Sequence, residues 1–281
     1  MKAFLGIGLL GNGFVQAMLR HGLQVQVWNR TASRAKDLEQ YRAKAFENIL
    51  DAVHGADAIH ICVKDDAAVD EVLAKAEKGF QKGTVIIDHS TTTVEGAIER
   101  TKKWKEKGFP YQHAPVLMGP QNALDSTGMM LVSGDQDLIK RLEPELSKMT
   151  GKLVNMGDKA GKAAAMKLTS NLFLIGLNGA VADTVAFGNS LGISTSELIQ
   201  HFSQWNPAHS VVSRMKKMTD SSLPDPSWTL EMARKDAGLF LLEAKNQNIH
   251  LSVIPGIASV MDKKIKEGHS KEDWSVIGRM N

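Results

Sequence analysis

Three glycines near the start of the chain have the spacing of a phosphate-binding turn. Residues 2–6 (KAFLG) are strand-like, and residues 9–20 carry apolar side chains at helical spacing. In such a strand-to-helix turn, Gly6 makes the tight bend, Gly8 lets a pyrophosphate approach the backbone, and Gly11 lets helix and strand pack closely. The pyrophosphate then rests on the free N–H groups of the helix. We therefore predict a dinucleotide site formed by Gly6, Gly8, Leu9, Leu10 and Gly11.

The next strand, residues 23–28, is followed by residues that favour a phosphorylated cofactor. At this point an NAD-preferring domain carries Asp or Glu, which holds the ribose 2′-hydroxyl. The corresponding segment here contains Asn29, Arg30, Thr31 and Arg34. Asparagine does not repel a 2′-phosphate, the arginines can pair with it, and the threonine or Ser33 can donate a hydrogen bond. Alternatively, Thr31 or Ser33 caps a helix that begins near residue 35, and both interpretations can hold. We expect NADP(H) to be preferred over NAD(H).

Polar side chains are sparse in a long apolar helical run, residues 160–187. Lys167, Asn171 and Asn178 stand out there, at spacings of four and seven residues that place them on one helical face. They must face solvent or line a wet cleft, because burying them unpaired is costly, and composition does not decide between the two. A desolvated lysine has a lowered pKa and suits proton transfer to a substrate oxygen. Lys167 is therefore the candidate general acid/base.

A second polar segment, residues 88–91, follows the strand predicted at residues 84–88. Side chains at the carboxyl ends of parallel strands face the ligand crevice. Ser90 and Thr91 are candidates for such a role, although either could simply cap the next helix. His89 is expected to be structural. No His/Cys cluster has metal-ligand spacing, so we expect no metal site.

Composition excludes several classes of function. The net charge is +3 and the basic residues are scattered, so we expect no nucleic-acid partner. The single cysteine, Cys62, lies in an apolar run and is expected to be a buried structural thiol. We find no signal-peptide pattern and expect no apolar stretch of membrane-spanning length. These features predict a cytoplasmic protein without a membrane partner.

The order of the predicted elements gives the fold class. Strand-like runs lie at residues 2–6, 23–28, 58–63, 84–88, 111–115, 129–133 and 152–156. Their alternation with helical patterns predicts an α/β Rossmann domain with a doubly wound, mostly parallel sheet. The later helical patterns lie at residues 160–187, 194–204, 229–247 and 257–267. We therefore expect a Rossmann domain at residues 1–158 and an all-helical domain at 159–281, with Gly188 ending the long helix and a loop at 220–227.

Several segments together resemble the β-hydroxyacid dehydrogenases, the group that contains 3-hydroxyisobutyrate dehydrogenase, glyoxylate/succinic semialdehyde reductase and, more distantly, 6-phosphogluconate dehydrogenase. They are GIGLLG, VWNRT, DHSTTT, HAPVLMG, Lys167 with Asn171, and Lys235-Asp236, in this order along essentially the whole chain. The resemblance implies a Rossmann domain and a helical domain through which subunits associate. It also places the active site in a cleft between the two domains. The apolar-rich segment from Leu251 to Met261 in the helical half suggests a surface that needs a partner, so we expect a homodimer or homotetramer.

The resemblance further implies roles for individual residues. Lys167 matches the catalytic lysine that protonates the carbonyl oxygen during reduction, and Asn171 matches the residue that orients substrate and lysine. Further cofactor contacts are implied for Val63, Lys64, Thr91 and Lys235. Substrate contacts are implied for Ser90, Leu117, Met118, Gly119, Trp228 and Asp236. The substrate is then a small carbonyl or hydroxy compound.

One loop departs from the family pattern. The family reads D-A-P-V-S-G-G, in which the serine and backbone N–H groups hold the substrate carboxylate, whereas residues 113–119 read HAPVLMG. Leu117 has no side-chain donor and Met118 adds bulk, although the N–H groups of Met118 and Gly119 could still serve. Losing one donor to a carboxylate costs about 1.5–3 kcal/mol. We therefore expect a larger or less polar carbonyl substrate.

Three functions compete. The first is an NADP-dependent oxidoreductase that interconverts a small hydroxy acid or alcohol and its aldehyde or ketone, with Lys167 moving the proton. The second is an imine reductase, which shares the architecture and the VWNRT segment but usually has another residue at the position of Lys167. The third is a non-catalytic NADP-binding scaffold, against which the retained lysine argues.

Overall fold

The computed structural model describes residues 1–219 and 225–279. The chain divides into two compact units, Met1–Leu172 and Phe173–Asn281. The first unit therefore extends past residue 158, where we expected the Rossmann domain to end. The reason is local, because Ala163 and Ala164 are buried and the Ala163 N–H donates to Ser133 Oγ at 3.0 Å.

The first unit contains all nine strands of the described chain. They are β1 (Lys2–Leu5), β2 (Val25–Trp28), β3 (Lys44–Ala45), β4 (Ala58–Ile61), β5 (Val85–Asp88), β6 (Tyr111–His113), β7 (Val116–Leu117), β8 (Met129–Val132) and β9 (Lys152–Asn155). The order β3-β2-β1-β4-β5-β6 forms a six-stranded sheet whose pairs are all parallel. The strand order reverses between β1 and β4, which is where a doubly wound sheet opens a ligand crevice.

Two of the predicted strands do not join this sheet. β8 and β9 pair in parallel, and β7 pairs with β8 in antiparallel fashion, to form a separate three-stranded sheet. The last bond from this segment to β5 is Ala114 N to Asp88 O at 2.7 Å, and the next residue, Pro115, already accepts from Leu131 N, just before β7 pairs with β8. The expectation of one doubly wound sheet is therefore correct for the first strands and wrong for the last two.

Helices flank the main sheet at the expected places. Those that begin in the first unit are α1 (Leu9–Arg20), α2 (Ala32–Lys36), α3 (Ile49–Val53), α4 (Asp66–Ala76), α5 (Val94–Glu106), α6 (Pro120–Asp125), α7 (Gln136–Leu146) and α8 (Lys162–Ser190). Thr93 caps α5 by accepting from Gly96 N at 3.0 Å, so the alternative that Ser90 or Thr91 caps it is wrong. Thr31 occupies the N-cap position of α2 but makes no side-chain cap bond.

The sheet is buried on both faces, as expected for parallel strands. Alternate residues of β1 show this directly, because Phe4 belongs to one apolar core and Ala3 and Leu5 belong to the other. The first core includes side chains of α1 and α7, and the second includes side chains of α3 and α4. The strands therefore hold the turns at their carboxyl ends on a rigid base.

The second unit is helical in its described part. Its further helices are α9 (Thr195–Gln204), α10 (Val211–Thr219), α11 (Leu230–Asn246) and α12 (Ile254–Lys264). α9 begins with the capping box of Ser194 and Glu197, and α10 was not predicted. The predicted loop at 220–227 falls partly outside the described residues.

α8 differs from two expectations. It continues through Gly188 to Ser190, so that glycine is not its stop signal. Its 29 residues are long and apolar enough to cross a membrane by length and composition, contrary to the expectation of no such stretch, although one helix of this kind is weak evidence. Leu172 and Ile175 are 74% and 72% exposed, so its apolar surface is largely uncovered in one copy of the chain.

Candidate active site

The glycine turn has the geometry that a dinucleotide requires. Gly6 has a φ of +96°, which only glycine adopts readily, and a side chain there would meet Cys62 O at 2.3 Å. A Cβ on Gly11 would lie 2.1 Å from Gly6 O, so the close packing of helix and turn depends on this glycine. Gly8, the N-cap of α1, has nothing within 4 Å of a built Cβ. The turn is therefore tight on the protein side and open on the ligand side.

The segment after β2 keeps two cations available beside this turn. Asn29 Oδ1 accepts from Ile7 N at 2.9 Å, and its amide donates to Thr31 O at 3.0 Å. Asn29 therefore holds the glycine turn through its side chain. Arg30 and Arg34 are exposed, and among the described residues neither makes a salt bridge. Arg34 also lines a cavity of about 530 Å³ together with Gly8 and Leu9.

A hydrogen bond joins the turns that follow β4 and β5. Val63 N donates to Ser90 Oγ at 2.9 Å, and Ser90 N donates to Asp88 Oδ1 at 2.8 Å. Ser90 is only 1% exposed, so its predicted contact with substrate is not supported, and its hydroxyl holds the neighbouring turn instead. Thr91, the next residue, is partly exposed, and Lys64 is 89% exposed and pairs with Asp65 at 3.4 Å.

Lys167 lies in the first turns of α8, within the first unit. It is half-buried, and this burial lowers its pKa, although interaction with Cys62 partly offsets the effect. Burial raises the pKa of the Cys62 thiol to about 12, so the thiol is neutral near pH 7, although the residue is partly exposed and not fully buried as expected. Because Cys62 follows β4 directly, Lys167 lies near the carboxyl end of that strand. Asn171 is also partly exposed, whereas Asn178 is exposed and belongs to the second unit.

In the loop that departs from the family pattern, residues 113–119, the side chains and one backbone N–H are engaged in contacts within the protein. Leu117 lies in β7 and pairs with Met129, and Met118 packs against the first core. Gly119 N donates to Asn122 Oδ1 at 2.9 Å, so this N–H is already used. Asn122 in turn donates to Thr127 Oγ1 at 3.0 Å. The expectation that Gly119 N could hold a carboxylate is therefore wrong for this conformation.

The remaining predicted residues lie in the second unit. Lys235 Nζ pairs with Asp236 Oδ1 at 2.9 Å, and the two side chains are 55% and 32% exposed. Trp228 packs edge-to-face on Trp274, with ring centroids 5.5 Å apart. Their contacts with cofactor or substrate remain implications of the family resemblance.

Sequence reasoning missed residues that shape the site from a distance. Asn122 stands three residues after Gly119, the spacing of a capping box, and this was the available signal. Arg100 and Tyr111 reach Asp88 only through tertiary contacts, with Tyr111 OH donating to Asp88 Oδ2 at 2.6 Å. Local spacing carries no signal for such a network.

Comparison with known proteins agrees with this geometry. Residues 2–157 match the model of the NAD binding domain of 6-phosphogluconate dehydrogenase. Glyoxylate/succinic semialdehyde reductase 2, chloroplastic, of Arabidopsis thaliana is 27% identical over 98% of this chain and 77% of its own length. The 3-sulfolactaldehyde reductase of Escherichia coli (strain K12) is 26% identical over 98% of this chain and 93% of its own.

Solved structures share the fold. The imine reductase from Myxococcus stipitatus in complex with NADP+ superposes with a TM-score of 0.90 at 21% identity, and 99% of this chain and 98% of that chain are covered. Its V8 variant in complex with NAD+ gives 0.85 at 20% identity, over 99% of this chain and 97% of that chain. At these identities the likeness establishes the fold alone.

The glycine turn on a 3-2-1-4-5-6 sheet, the helical second unit and the relatives define an NAD(P)-dependent oxidoreductase. Within that class, the chain belongs to the β-hydroxyacid dehydrogenase family.

Proposed function

We propose that this enzyme reduces a carbonyl compound to its alcohol, and catalyses the reverse oxidation, with NADP(H) as the cofactor. Bound NADPH supplies a hydride to the carbonyl carbon. Lys167 supplies the proton to the carbonyl oxygen, and in the reverse direction it takes the proton back. The observation that carries the proposal is a half-buried lysine near the carboxyl end of β4 whose pKa is lowered by burial. Such a lysine gives up a proton more readily than one in water.

Asn171 supports this role from the next turn of α8. Residues four positions apart on a helix lie on the same face, so its amide can reach the group that Lys167 protonates. The amide has both a donor and an acceptor, so it can orient a hydroxyl or carbonyl oxygen. We expect Asn171→Ala to lower kcat by about tenfold or more, since a misplaced reacting group costs up to about 10²-fold. Steady-state kinetics with saturating NADPH measures this effect.

The preference for NADP(H) rests on Asn29 and the two exposed arginines beside the glycine turn. Charge-assisted hydrogen bonds to a phosphate are each worth about 1.5–3 kcal/mol. We therefore expect Arg30→Ala to weaken NADPH binding by about tenfold or more and to leave NADH binding nearly unchanged. Arg20→Ala, at the other end of α1, is the matched control. Equal loss for both cofactors in Arg30→Ala would contradict the preference.

The substrate is a small carbonyl compound that carries no carboxylate. Leu117 has no side-chain donor, Gly119 N is held by Asn122, and residues 113–125 contain no lysine or arginine, so of the donors expected in this loop only the Met118 N–H remains. Placing an unpaired carboxylate against Leu117 and Met118 would cost several kcal/mol. The Ser90 hydroxyl accepts from Val63 N and is buried, and this burial keeps its own O–H away from a substrate, so we do not expect it to take over the missing donor role.

Matched pairs of substrates test this conclusion. We expect methyl 4-oxobutanoate to be reduced with a kcat/KM at least tenfold above that of succinic semialdehyde, with NADPH consumption as the readout. The double variant Leu117→Ser/Asn122→Ala restores a hydroxyl and frees Gly119 N. It should therefore raise kcat/KM for succinic semialdehyde relative to that for the methyl ester. Leu117→Val keeps the loop apolar and is the control. A wild-type enzyme that favours the acid would exclude this substrate class.

An imine is the second candidate substrate. The apolar loop at Leu117 and Met118 suits a neutral imine as well as a neutral ketone, and Lys167 argues for the oxygen compound. A panel of cyclic imines and the corresponding ketones, each with NADPH and NADH, separates the two. Turnover confined to imines would replace the proposed reaction.

We also propose that a second copy of the chain covers α8. Large apolar side chains are exposed along this helix, among them Leu172, Phe173, Leu174, Ile175 and Val181. Contiguous apolar surface of this kind marks an interface. We expect a dimer or tetramer in light scattering at micromolar concentration and dissociation in Leu172→Asp, with Ile98→Asp as the control. Monomeric behaviour, or binding to lipid vesicles instead of self-association, would contradict the proposal.

A further inference from the structure

A buried carboxylate lies directly behind the turn that is expected to approach the cofactor. Asp88 ends β5 and is 0% exposed. Its Oδ1 accepts from Ser90 N at 2.8 Å, and its Oδ2 accepts from Tyr111 OH at 2.6 Å. A buried carboxylate is tolerated only when donors satisfy it, so both bonds fix its orientation.

Tyr111 is itself held by a buried cation. Arg100 Nε donates to Tyr111 OH at 3.2 Å, and Arg100 is 2% exposed. Its remaining nitrogens pair with Asp66 and with Asp70, the latter at 3.3 Å. Burial and the neighbouring Asp88 raise the pKa of Tyr111, so the phenol keeps its proton and donates it toward Asp88. The chain of contacts therefore runs from α5 through β6 to the end of β5.

At its far end this network reaches two turns. Ser90 is fixed on three sides, since its N–H bonds Asp88, its hydroxyl accepts from Val63 N at 2.9 Å, and its carbonyl oxygen lies 3.0 Å from His113 Nε2. Burial lowers the pKa of His113, so its neutral ring donates from Nε2 to this oxygen. The positions of Val63 and Thr91 thus depend on Asp88.

We propose that Arg100 and Tyr111 are positioning residues for the nicotinamide half of the cofactor, which they influence through Asp88, Ser90 and Val63. The inference rests on the proposed NADP-dependent function, in which Val63 and Thr91 approach that half. Loss of the Tyr111 hydroxyl leaves one oxygen of Asp88 and Arg100 Nε without their partners. The carboxylate then reorients and the Ser90 turn moves with it, and displacements of about 1 Å at a reacting centre cost up to about 10²-fold.

The experiment compares two ligands that differ only in the nicotinamide ring. NADPH and 2′-phospho-ADP-ribose, which lacks nicotinamide, are titrated calorimetrically into the wild-type protein and Tyr111→Phe. We expect Tyr111→Phe to weaken NADPH about tenfold and 2′-phospho-ADP-ribose less than twofold. Arg100→Lys, which keeps the charge, should lose less NADPH affinity than Arg100→Met. Tyr41→Phe alters the only other tyrosine, which is 46% exposed, and should change neither affinity.

Amide hydrogen exchange gives a readout that needs no ligand. Val63 N–H, which donates to Ser90 Oγ, should exchange at least tenfold faster in Tyr111→Phe, while the amides of α1 keep their protection. Equal weakening of both ligands in Tyr111→Phe, or unchanged NADPH affinity with unchanged Val63 exchange, would overturn the inference. If Tyr111→Phe does not fold, the Arg100→Lys and Arg100→Met pair gives the same comparison. A wild-type protein that binds neither ligand would instead overturn the proposed NADP-dependent function.

Discussion

The buried His89 should make this protein lose stability in mild acid. His60 Nδ1 lies 3.0 Å from His89 Nε2, and His89 Nδ1 lies 3.0 Å from Ala114 O. Because the carbonyl oxygen accepts only, His89 must be protonated at Nδ1, and its Nε2 accepts from His60. On its other side, His60 Nε2 donates to Glu145 Oε1 at 3.0 Å, so the bonding pattern requires a proton on both nitrogens of His60, and His89 is the ring that lacks the second proton. His89 therefore has no vacant nitrogen for a second proton.

The size of the effect follows from the pKa of His89. Burial, reinforced by His60, lowers this pKa from 6.5 to about 3. In the unfolded chain His89 takes up a proton near pH 6.5, whereas in the folded protein it does so only at about pH 3. The stabilisation is therefore fully present above pH 6.5 and is lost as the pH falls toward 3. At about 1.4 kcal/mol per pH unit, the loss reaches about 2 kcal/mol at pH 5.

Urea denaturation at pH 8 and pH 5 measures this difference. We expect the wild-type free energy of unfolding to fall by about 2 kcal/mol more over this range than that of His89→Asn, which retains a donor for Ala114 O but does not titrate. The carboxyl of Glu145 does not contribute here, because burial would raise its pKa but hydrogen bonds from His60 and Lys2 hold it at about 2. His54→Asn, an exposed histidine, is the control. Equal pH slopes in wild type and His89→Asn would refute the reasoning.

Three further predictions concern proton transfer by Lys167, the glycine turn and the stability of the second unit. Lys167→Ala should lower kcat by about 10²–10⁴-fold and keep NADPH affinity within about twofold, as measured by steady-state kinetics and fluorescence titration; retained turnover would rule out the lysine as the acid. Gly11→Ala places a Cβ 2.1 Å from Gly6 O and should lower the melting temperature. Gly8→Ala, with open space around it, should block NADPH binding without changing the melting temperature. Equal melting temperatures for the two variants would refute the packing argument. Asp183 accepts from Ser252 N and Val253 N at 2.9 and 2.8 Å, just before α12. Asp183→Ala should therefore lower the free energy of unfolding by about 1–2 kcal/mol, as measured by denaturant titration. An unchanged free energy of unfolding would show that these two hydrogen bonds are replaceable.

The local features of the fold were predictable from the sequence. The glycine turn, α1 and the strands of the parallel sheet other than β3, which was not predicted, follow from residue types and from periodicity over a few positions. Gly6 has a positive φ, and Gly11 lies too close to the backbone of Gly6 to carry a side chain. Glycine is the residue type that meets both requirements, so its position in the sequence indicates them. Lys167 could be singled out because a charged side chain in an apolar helical run is rare. The carbonyl reductase chemistry and the NADP preference derived from these residues stay proposals until assayed.

What the sequence by itself determined is thus the fold class, most of the strands and the glycine turn, since hydrogen-bonding pattern, apolar period and glycine conformation act between near neighbours. Tertiary structure alone decided that β8 and β9 form their own sheet with β7, and that Ser90 supports Val63 rather than facing substrate. It also brought Arg100 and Tyr111 to Asp88. Such contacts join residues far apart in the chain, and their partners are selected by packing and by the need to satisfy buried charge, which no local pattern records.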